Sequence, residues 1–290
     1  MTKLRSPIFW FGGKGNMTAK LLTLMPTHRE YVEAFGGGGS LLLAKIPAKV
    51  ETYNDLNSDL VNLFRVLRDP VKFEQFHYKA SLTPYSREEY YFCRETFRDC
   101  QDDVERAYRW FIVARMSFGG HFGSSWGFSV LESKRGMTSV CSNFLSIIEM
   151  LPQIHKRLMT VQIEHSSWQK ILEIYNPPTT LIYLDPPYIP ETRSGGEYKH
   201  EMTADDHREL VEKMLEYPGM IMLSGYDHEI YKPLIDNGWD VKRFNTACHS
   251  AGKTRHTKIQ GKGSATAKQP RIECVFRNPK AMAHSQAKIF

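Results

Sequence analysis

The chain of 290 residues is short of cysteine and lacks the arrangements in which cysteine organises a fold. Its five cysteines, Cys93, Cys100, Cys141, Cys248 and Cys274, are odd in number and widely spaced, and no C-x-x-C pair occurs. That pattern argues against a disulfide framework and a zinc site, and for reduced thiols inside a cell. No apolar run approaches the ~18–20 residues that a membrane span needs. The N-terminal MTKLRSPIFWFGGKG also has no apolar stretch of the kind that marks a secretion signal. A soluble, cytoplasmic protein with no membrane contact and no metal is the expectation. Nor is charge of one sign in large excess: 38 Lys and Arg stand against 32 Asp and Glu, a net +6. This admits a polyanionic partner without demanding one. Two phosphate-cradling signatures are missing as well. A G-x-G-x-x-G pattern begun at Gly36 or Gly37 would need its third glycine at Leu41 or Leu42. A P-loop ending at Gly13-Lys14 would need glycine at Ile8 and Ser or Thr at Gly15.

What is present has ordinary globular composition, 41% apolar and 24% charged. Residues 29–35 read as a strand ended by Gly36 to Gly39, residues 40–46 as a helix with Ser40 as its candidate N-cap, and residues 49–55 as a second strand. Strand, glycine turn, helix, strand is a βαβ unit and implies a parallel pair. Helices are expected over 58–68, 71–81, 86–98 and 102–117; in the last, Val104, Ala107, Tyr108, Phe111 and Ile112 recur at helical spacing. The glycine- and aromatic-rich SFGGHFGSSWGFSV at 117–130 suits a hairpin or an ordered loop. Strands resume at 161–165 and 180–185. A helix follows over 203–217, opened by Thr203 and Asp206 in a capping-box pattern, and then strands at 219–227, 239–245 and 270–278. The expected organisation is an α/β catalytic domain, 1–57 with 160–290, split by a mostly helical insertion at 58–159.

Two constellations carry chemistry. The glycine turn lies between strand and helix, where backbone can approach a ligand at the carboxyl edge of a sheet, and Asp55 ends the next strand, where a carboxylate can accept from ribose hydroxyls. Alone, this is equally a tight turn with Asp55 as a cap. The second, Asp185-Pro186-Pro187-Tyr188, leaves the apolar strand LIYL. The prolines fix the backbone, so the Asp185 carboxylate and the Pro186 carbonyl form two acceptors in a set relation, suited to an –NH2 group. Tyr188 then offers a flat face to a planar base.

With those residues the chain resembles the D12 class of DNA adenine-N6 methyltransferases, the Dam-like family of bacteria and phages. Four segments carry the resemblance, in the family's order. Phe9-Trp10-Phe11-Gly12-Gly13-Lys14 is similar to its N-terminal cofactor motif, and Val32 to Ser40 to its glycine motif. Tyr53-Asn54-Asp55 is similar to its ribose-binding motif, and Asp185 to Tyr188 to its D-P-P-Y catalytic motif. The resemblance implies a Rossmann-like methyltransferase sheet and S-adenosylmethionine as methyl donor. The cofactor would be held by Trp10, Lys14, Glu33, Phe35, Gly36, Gly37, Gly38 and Asp55, with Asp185 at the methyl end. It also implies double-stranded DNA as partner, a flipped-out adenine, and a helical target-recognition insertion. The biological settings it implies are restriction–modification or replication-linked methylation, with GATC the family's commonest target. Where the family often has an Asp-Phe pair, Ser167-Trp168 stands here, so the cofactor's adenine would meet a hydroxyl rather than a carboxylate. A monomer is expected; any partner nuclease stays open.

Cytosine-C5 chemistry would need a Pro-Cys nucleophile, and the cysteines follow Phe92, Asp99, Val140, Ala247 and Glu273 instead. Cytosine-N4 methylation, usually served by Ser in place of Asp185, remains an alternative, as does a catalytically silent DNA-binding module. Two surfaces are candidates for DNA. In the insertion, Arg109, Arg115, His121, Lys134 and Arg135 flank an aromatic segment containing Trp126. Residues 241–272 hold eight Lys or Arg, Lys253, Arg255 and Lys258 among them, and no acid.

Overall fold

The computed structural model describes residues 4–10, 12–189, 200–247 and 270–285. Chain order runs α1 (Thr18–Leu24), β1 (Glu30–Glu33), α2 (Ser40–Ala44), β2 (Val50–Asn54), α3 (Ser58–Arg68), α4 (Pro70–Leu82), α5 (Arg87–Thr96) and α6 (Asp103–Met116). It continues with β3 (Glu132–Lys134), β4 (Met137–Thr138), α7 (Ser139–Ile148), α8 (Leu151–Leu158), β5 (Val161–Glu164), α9 (Trp168–Ile174), β6 (Thr180–Leu184) and α10 (Ala204–Glu216). It closes with β7 (Met220–Tyr226), α11 (Lys232–Asp236), β8 (Asp240–Ala247), β9 (Pro270–Arg277) and α12 (Pro279–Ala283).

Seven strands form one sheet in the order β5-β2-β1-β6-β7-β9-β8. The first five are parallel; β9 runs antiparallel between β7 and β8. Adjacent residues of the central strands enter opposite cores, as a period of two requires. Tyr31, Leu181, Met220 and Met222 join the core under α3, α6 and α8, while Val32, Ile182, Ile221 and Leu223 join the one under α9 and α10. A strand buried on both faces can carry no alternating polar residues, which is why TLIYL reads as a continuous apolar run.

The expected Ser40 cap is corrected: Gly39, in the left-handed region at φ +64°, is the N-cap of α2, with no side-chain cap, and Ser40 is its first helical residue. Elsewhere side chains cap several helices. Asn57 accepts from Asp59 N and Leu60 N at the start of α3, and Asp69 accepts from Val71 N and Lys72 N ahead of Pro70 in α4. Thr203 and Asp206 close a reciprocal capping box on α10. The segment 117–130 is an ordered loop, with a 3-10 turn at Phe118–Gly120 and an antiparallel bridge between Ser117 and Trp126. The hydroxyls of Tyr85 and Tyr90 donate to Gly127 O and Ser124 O and hold it down. The insertion does not stand off from the sheet: Phe64 of α3 stacks on Tyr53 of β2, with ring centroids 4.2 Å apart. No described helix is long and apolar enough to cross a membrane.

β1 leads by α2 to β2 on one side, and β6 leads by α10 to β7 on the other. The strand order therefore reverses between β1 and β6, and their carboxyl ends open into a crevice, the position where open α/β sheets bind ligands.

Candidate active site

A cleft of about 280 Å³ occupies that crevice, lined by Trp10, Lys14, Glu33, the turn from Ala34 to Gly38, Asp55, Ser167, Trp168 and Asp185, among others. Five polar or glycine-rich segments far apart in sequence thus converge on one sheet edge. The turn needs its glycines for contact. A Cβ on Gly36 would lie 2.2 Å from the Tyr53 ring, and one on Gly37, which sits at φ +49°, would lie 2.8 Å from the Trp10 indole. Tyr53 returns the contact by donating from its hydroxyl to Gly37 O at 2.7 Å.

Asp55 braces the turn. Its two oxygens accept from Gly37 N at 2.9 Å and Asn57 N at 2.8 Å. Each carboxylate oxygen has a second lone pair, so two acceptor positions remain for hydroxyls of a ligand. Burial raises its pKa, opposed by the Asn57 and Gly37 N–H groups. Asn54 clips neighbouring strand ends together, donating to Ala34 O at 2.8 Å and Ser166 O at 3.0 Å and accepting from Ser166 N at 2.9 Å. Ser167 caps α9, accepting from Lys170 N, and Trp168 is buried behind it. Phe35 packs on the α9–α10 core. Glu33 is buried with the Tyr31 hydroxyl donating to it at 2.8 Å; burial pushes its carboxyl up to about 7.

Asp185, directly after β6, is the pivot. Its Oδ1 lies 2.8 Å from Lys14 Nζ in a buried ion pair. Burial holds its carboxyl up at about 6, against the pull of the Lys14 charge. Lys14, 8% exposed on a 3-10 turn (Lys14–Asn16), also approaches Gly12 O at 3.1 Å and Glu273 Oε1 at 3.2 Å. Pro187 O accepts from His207 Nε2 at 3.0 Å, and the other ring nitrogen meets the Tyr231 hydroxyl at 3.0 Å, which steadies the proline backbone. Tyr188 differs from the expectation of an open stacking face. It is 7% exposed, with Lys14 Nζ 4.6 Å from its ring centre, Tyr226 packed edge-on, and its hydroxyl donated to Glu273.

The residue types, their order and this convergence match a known family. The model of the D12 class N6 adenine-specific DNA methyltransferases aligns with residues 10–247. The chain belongs to that family. It is similar to the type II methyltransferase M1.LlaDCHI of Lactococcus lactis subsp. cremoris, 30% identical over 277 residues that cover 89% of this chain and 91% of the relative. It is 25% identical to the type II methyltransferase M.MjaIII of Methanocaldococcus jannaschii over 263 residues, 81% of this chain and 88% of the relative. It is 29% identical to a DNA adenine methylase of Vibrio cholerae over 136 residues, 45% and 48% of the two chains. The chain is thus an enzyme, a site-specific adenine-N6 DNA methyltransferase with a Rossmann-like sheet.

In this D12 methyltransferase the expected DNA-facing residues divide. Arg115 is a correction: only 6% exposed, its guanidinium lies 4.1 Å from the Phe9 ring centre and donates to Asn143 O at 3.2 Å. It is packed internally rather than open on the surface. Arg109 is paired with Glu105 at 2.7 Å and packed over Phe92, and Arg135 is paired with Glu149 at 2.9 Å. Trp126 is half-buried, stacked on Phe128 with Arg87 over its ring. His121 and Lys134 are exposed. Lys253, Arg255 and Lys258 lie outside the described residues.

Sequence reasoning missed Glu273 and His207, which hold the Asp185–Tyr188 segment from β9 and α10. A carboxylate in the otherwise apolar strand PRIECVFR was a usable signal for Glu273. His207, one residue past the capping box, had none.

Proposed function

We propose that the enzyme takes its methyl group from S-adenosylmethionine held in the β1–β6 crevice and delivers it to an adenine N6 presented to Asp185 and the Pro186 carbonyl. The buried Asp185 carboxylate at the switch point, its proton affinity raised by burial and its charge paired with Lys14, carries this reading. A carboxylate kept in a buried cleft at a strand end, its proton affinity perturbed by burial and a named charge partner, marks a functional group.

The cleft suits the cofactor. Glu33, Asp55 and Asp185 line it against the single lysine Lys14, a balance that favours a cationic ligand. Asp55 has the two acceptor positions a ribose diol needs, and Trp10 and Trp168 are flat walls for the rest of the molecule. When bound, S-adenosylmethionine supplies a sulfonium methyl as electrophile. The chain's own part is binding and orientation. Asp185 and the Pro186 carbonyl accept from the two N–H groups of the target amine, which favours a pyramidal nitrogen with its lone pair available. Lys14 keeps Asp185 ionised in a buried site. The adenine leaves the duplex stack to reach these groups; stacking on Tyr188 then requires Lys14 to move off the ring. The helical segment 58–159 supplies target recognition, with His121 and Lys134 as its exposed polar contacts, and Lys253, Arg255 and Lys258 contact backbone phosphates.

Transfer of labelled methyl to duplex DNA, followed by nucleoside analysis, tests the reading. N6-methyladenine that disappears in Asp185→Ala with duplex binding retained is the expected result. N4-methylcytosine as product, or an Asp185→Ala enzyme within tenfold of wild type, overturns it.

A further inference from the structure

Lys14 is shared. Its partners among the described residues include Gly12 O at 3.1 Å, Asp185 Oδ1 at 2.8 Å and Glu273 Oε1 at 3.2 Å. The same Glu273 oxygen accepts from the Tyr188 hydroxyl. Glu273 comes from β9, the antiparallel strand inserted beside β7, and is 8% exposed among apolar neighbours. A carboxylate buried there is costly unless its partners need it. Its partners are the lysine beside Asp185 and the tyrosine that closes the D-P-P-Y segment. A lysine with one carboxylate to serve settles on it and fills its lone pairs. With two, the ammonium is divided between them, 2.8 Å from Asp185 and 3.2 Å from Glu273.

We propose that Glu273 is a positioning residue for methyl transfer: by sharing Lys14 with Asp185 and fixing the Tyr188 hydroxyl, it leaves Asp185 charge-compensated yet able to accept from the target amine. This rests on the role assigned to Asp185 above. The charged and titratable groups that face Asp185 are Lys14, Glu33 from β1, Tyr183 from β6, Tyr188, Tyr231 and Glu273. Of these, Lys14 lowers its proton affinity and Glu273 raises it. Neutralising Glu273 therefore has a signed consequence: Lys14 pairs with Asp185 alone, Asp185 becomes more acidic, and the amine must displace a full ion pair.

The experiment compares Glu273→Gln with wild type on a cognate duplex. Gln keeps the size and an acceptor oxygen while removing the charge. The expected result is a tenfold or greater fall in kcat and an acid limb of the pH–rate profile moved to lower pH. The KM for duplex and the calorimetric affinity for S-adenosylmethionine should stay within twofold. Wild-type kcat, or a lower kcat with the acid limb unmoved or moved upward, overturns the proposal, since a merely structural role does not shift that limb downward. Should the Gln variant fail to bind cofactor, Glu273→Asp carries the test. Too short to reach Lys14 and Tyr188 together, it must lose at least fivefold in kcat with the limb moved in the same direction. Asp185→Ala is run alongside. If that variant is active, the Asp185 reading itself has failed; if it is inactive while Glu273→Gln behaves as wild type, only the inference about Glu273 has.

Discussion

The carboxyl edge of the sheet and the helical insertion handle charge in opposite ways. At the edge, Lys14, Glu33, Asp55, Asp185 and Glu273 are gathered into low-dielectric surroundings, and burial shifts the carboxyls of Glu33, Asp55 and Asp185 upward. In the insertion the expected cations are spent locally: Arg109 on Glu105, Arg135 on Glu149 and Arg115 on the face of Phe9. Buried charges retained at a cost mark chemistry. Paired surface charges contribute little and are poor guides to a partner. Basic residues in a sequence therefore leave their partners undecided, whereas the carboxylates at the strand ends gather in one cleft.

The largest effect that tests this contrast is at the edge. Asp185→Ala should lower methyl transfer about 10²–10³-fold or more, as the loss of a preorganised charge-stabilising group does, while gel-shift affinity for duplex stays near wild type. Asp55→Ala should weaken S-adenosylmethionine binding by about 1.5–3 kcal/mol in calorimetry, because charge-assisted hydrogen bonds to the ligand go together with the brace on Gly37. An unchanged affinity would place the ribose elsewhere.

The pH dependence follows from Asp185, held up at about 6 by burial. The ionised form accepts from the amine, so activity should fall as pH drops through that region. Lys14→Gln removes the charge that lowers this pKa, and so should move the acid limb to higher pH. A limb that stays put would show that another group sets it.

In the insertion the effects are smaller and differ in kind. Arg115→Ala should cost stability, about 1–3 kcal/mol in denaturant unfolding, through lost packing under Phe9, with the set of methylated sites unchanged. A change of site preference would return Arg115 to the DNA surface. The smallest effect separates the two neighbours Lys134 and Arg135. Each phosphate contact adds about 0.9 to the slope of log affinity against log salt. Lys134→Gln should therefore flatten the slope by up to about one unit, and Arg135→Gln, with its guanidinium held by Glu149, by less. Equal losses would mean that the Arg135–Glu149 pair opens on DNA.

Much of the edge was legible before the structure. The strand–glycine–helix–strand unit, the acid ending β2 and the D-P-P-Y after β6 are short-range patterns whose geometry is set by local backbone chemistry. So are the Thr203 and Asp206 capping box and the helices α3 to α6. Interiors of long helices and buried strands declare themselves by period, and turns by glycine and proline. Which side chains meet from separate elements is not a matter of period. Lys14 reaching Glu273, and His207 reaching Pro187, depend on β9 entering the sheet antiparallel and on α10 packing across β6.

Burial of individual polar residues was equally out of reach. Arg115 and Arg109 sit on the same helix six residues apart, one internal and one paired near the surface, because the N-terminal segment lays Phe9 over one of them. By itself, then, the sequence determined the family, the parallel α/β unit and the acid that ends β6 in the D-P-P-Y segment, since these follow from residue type and spacing along the chain. Only the tertiary structure decided that Asp185 shares its lysine with a carboxylate from the far strand, that Tyr188 lies covered, and that the insertion packs against the sheet. Those outcomes depend on burial and contacts across the sheet, which no local pattern of residues encodes.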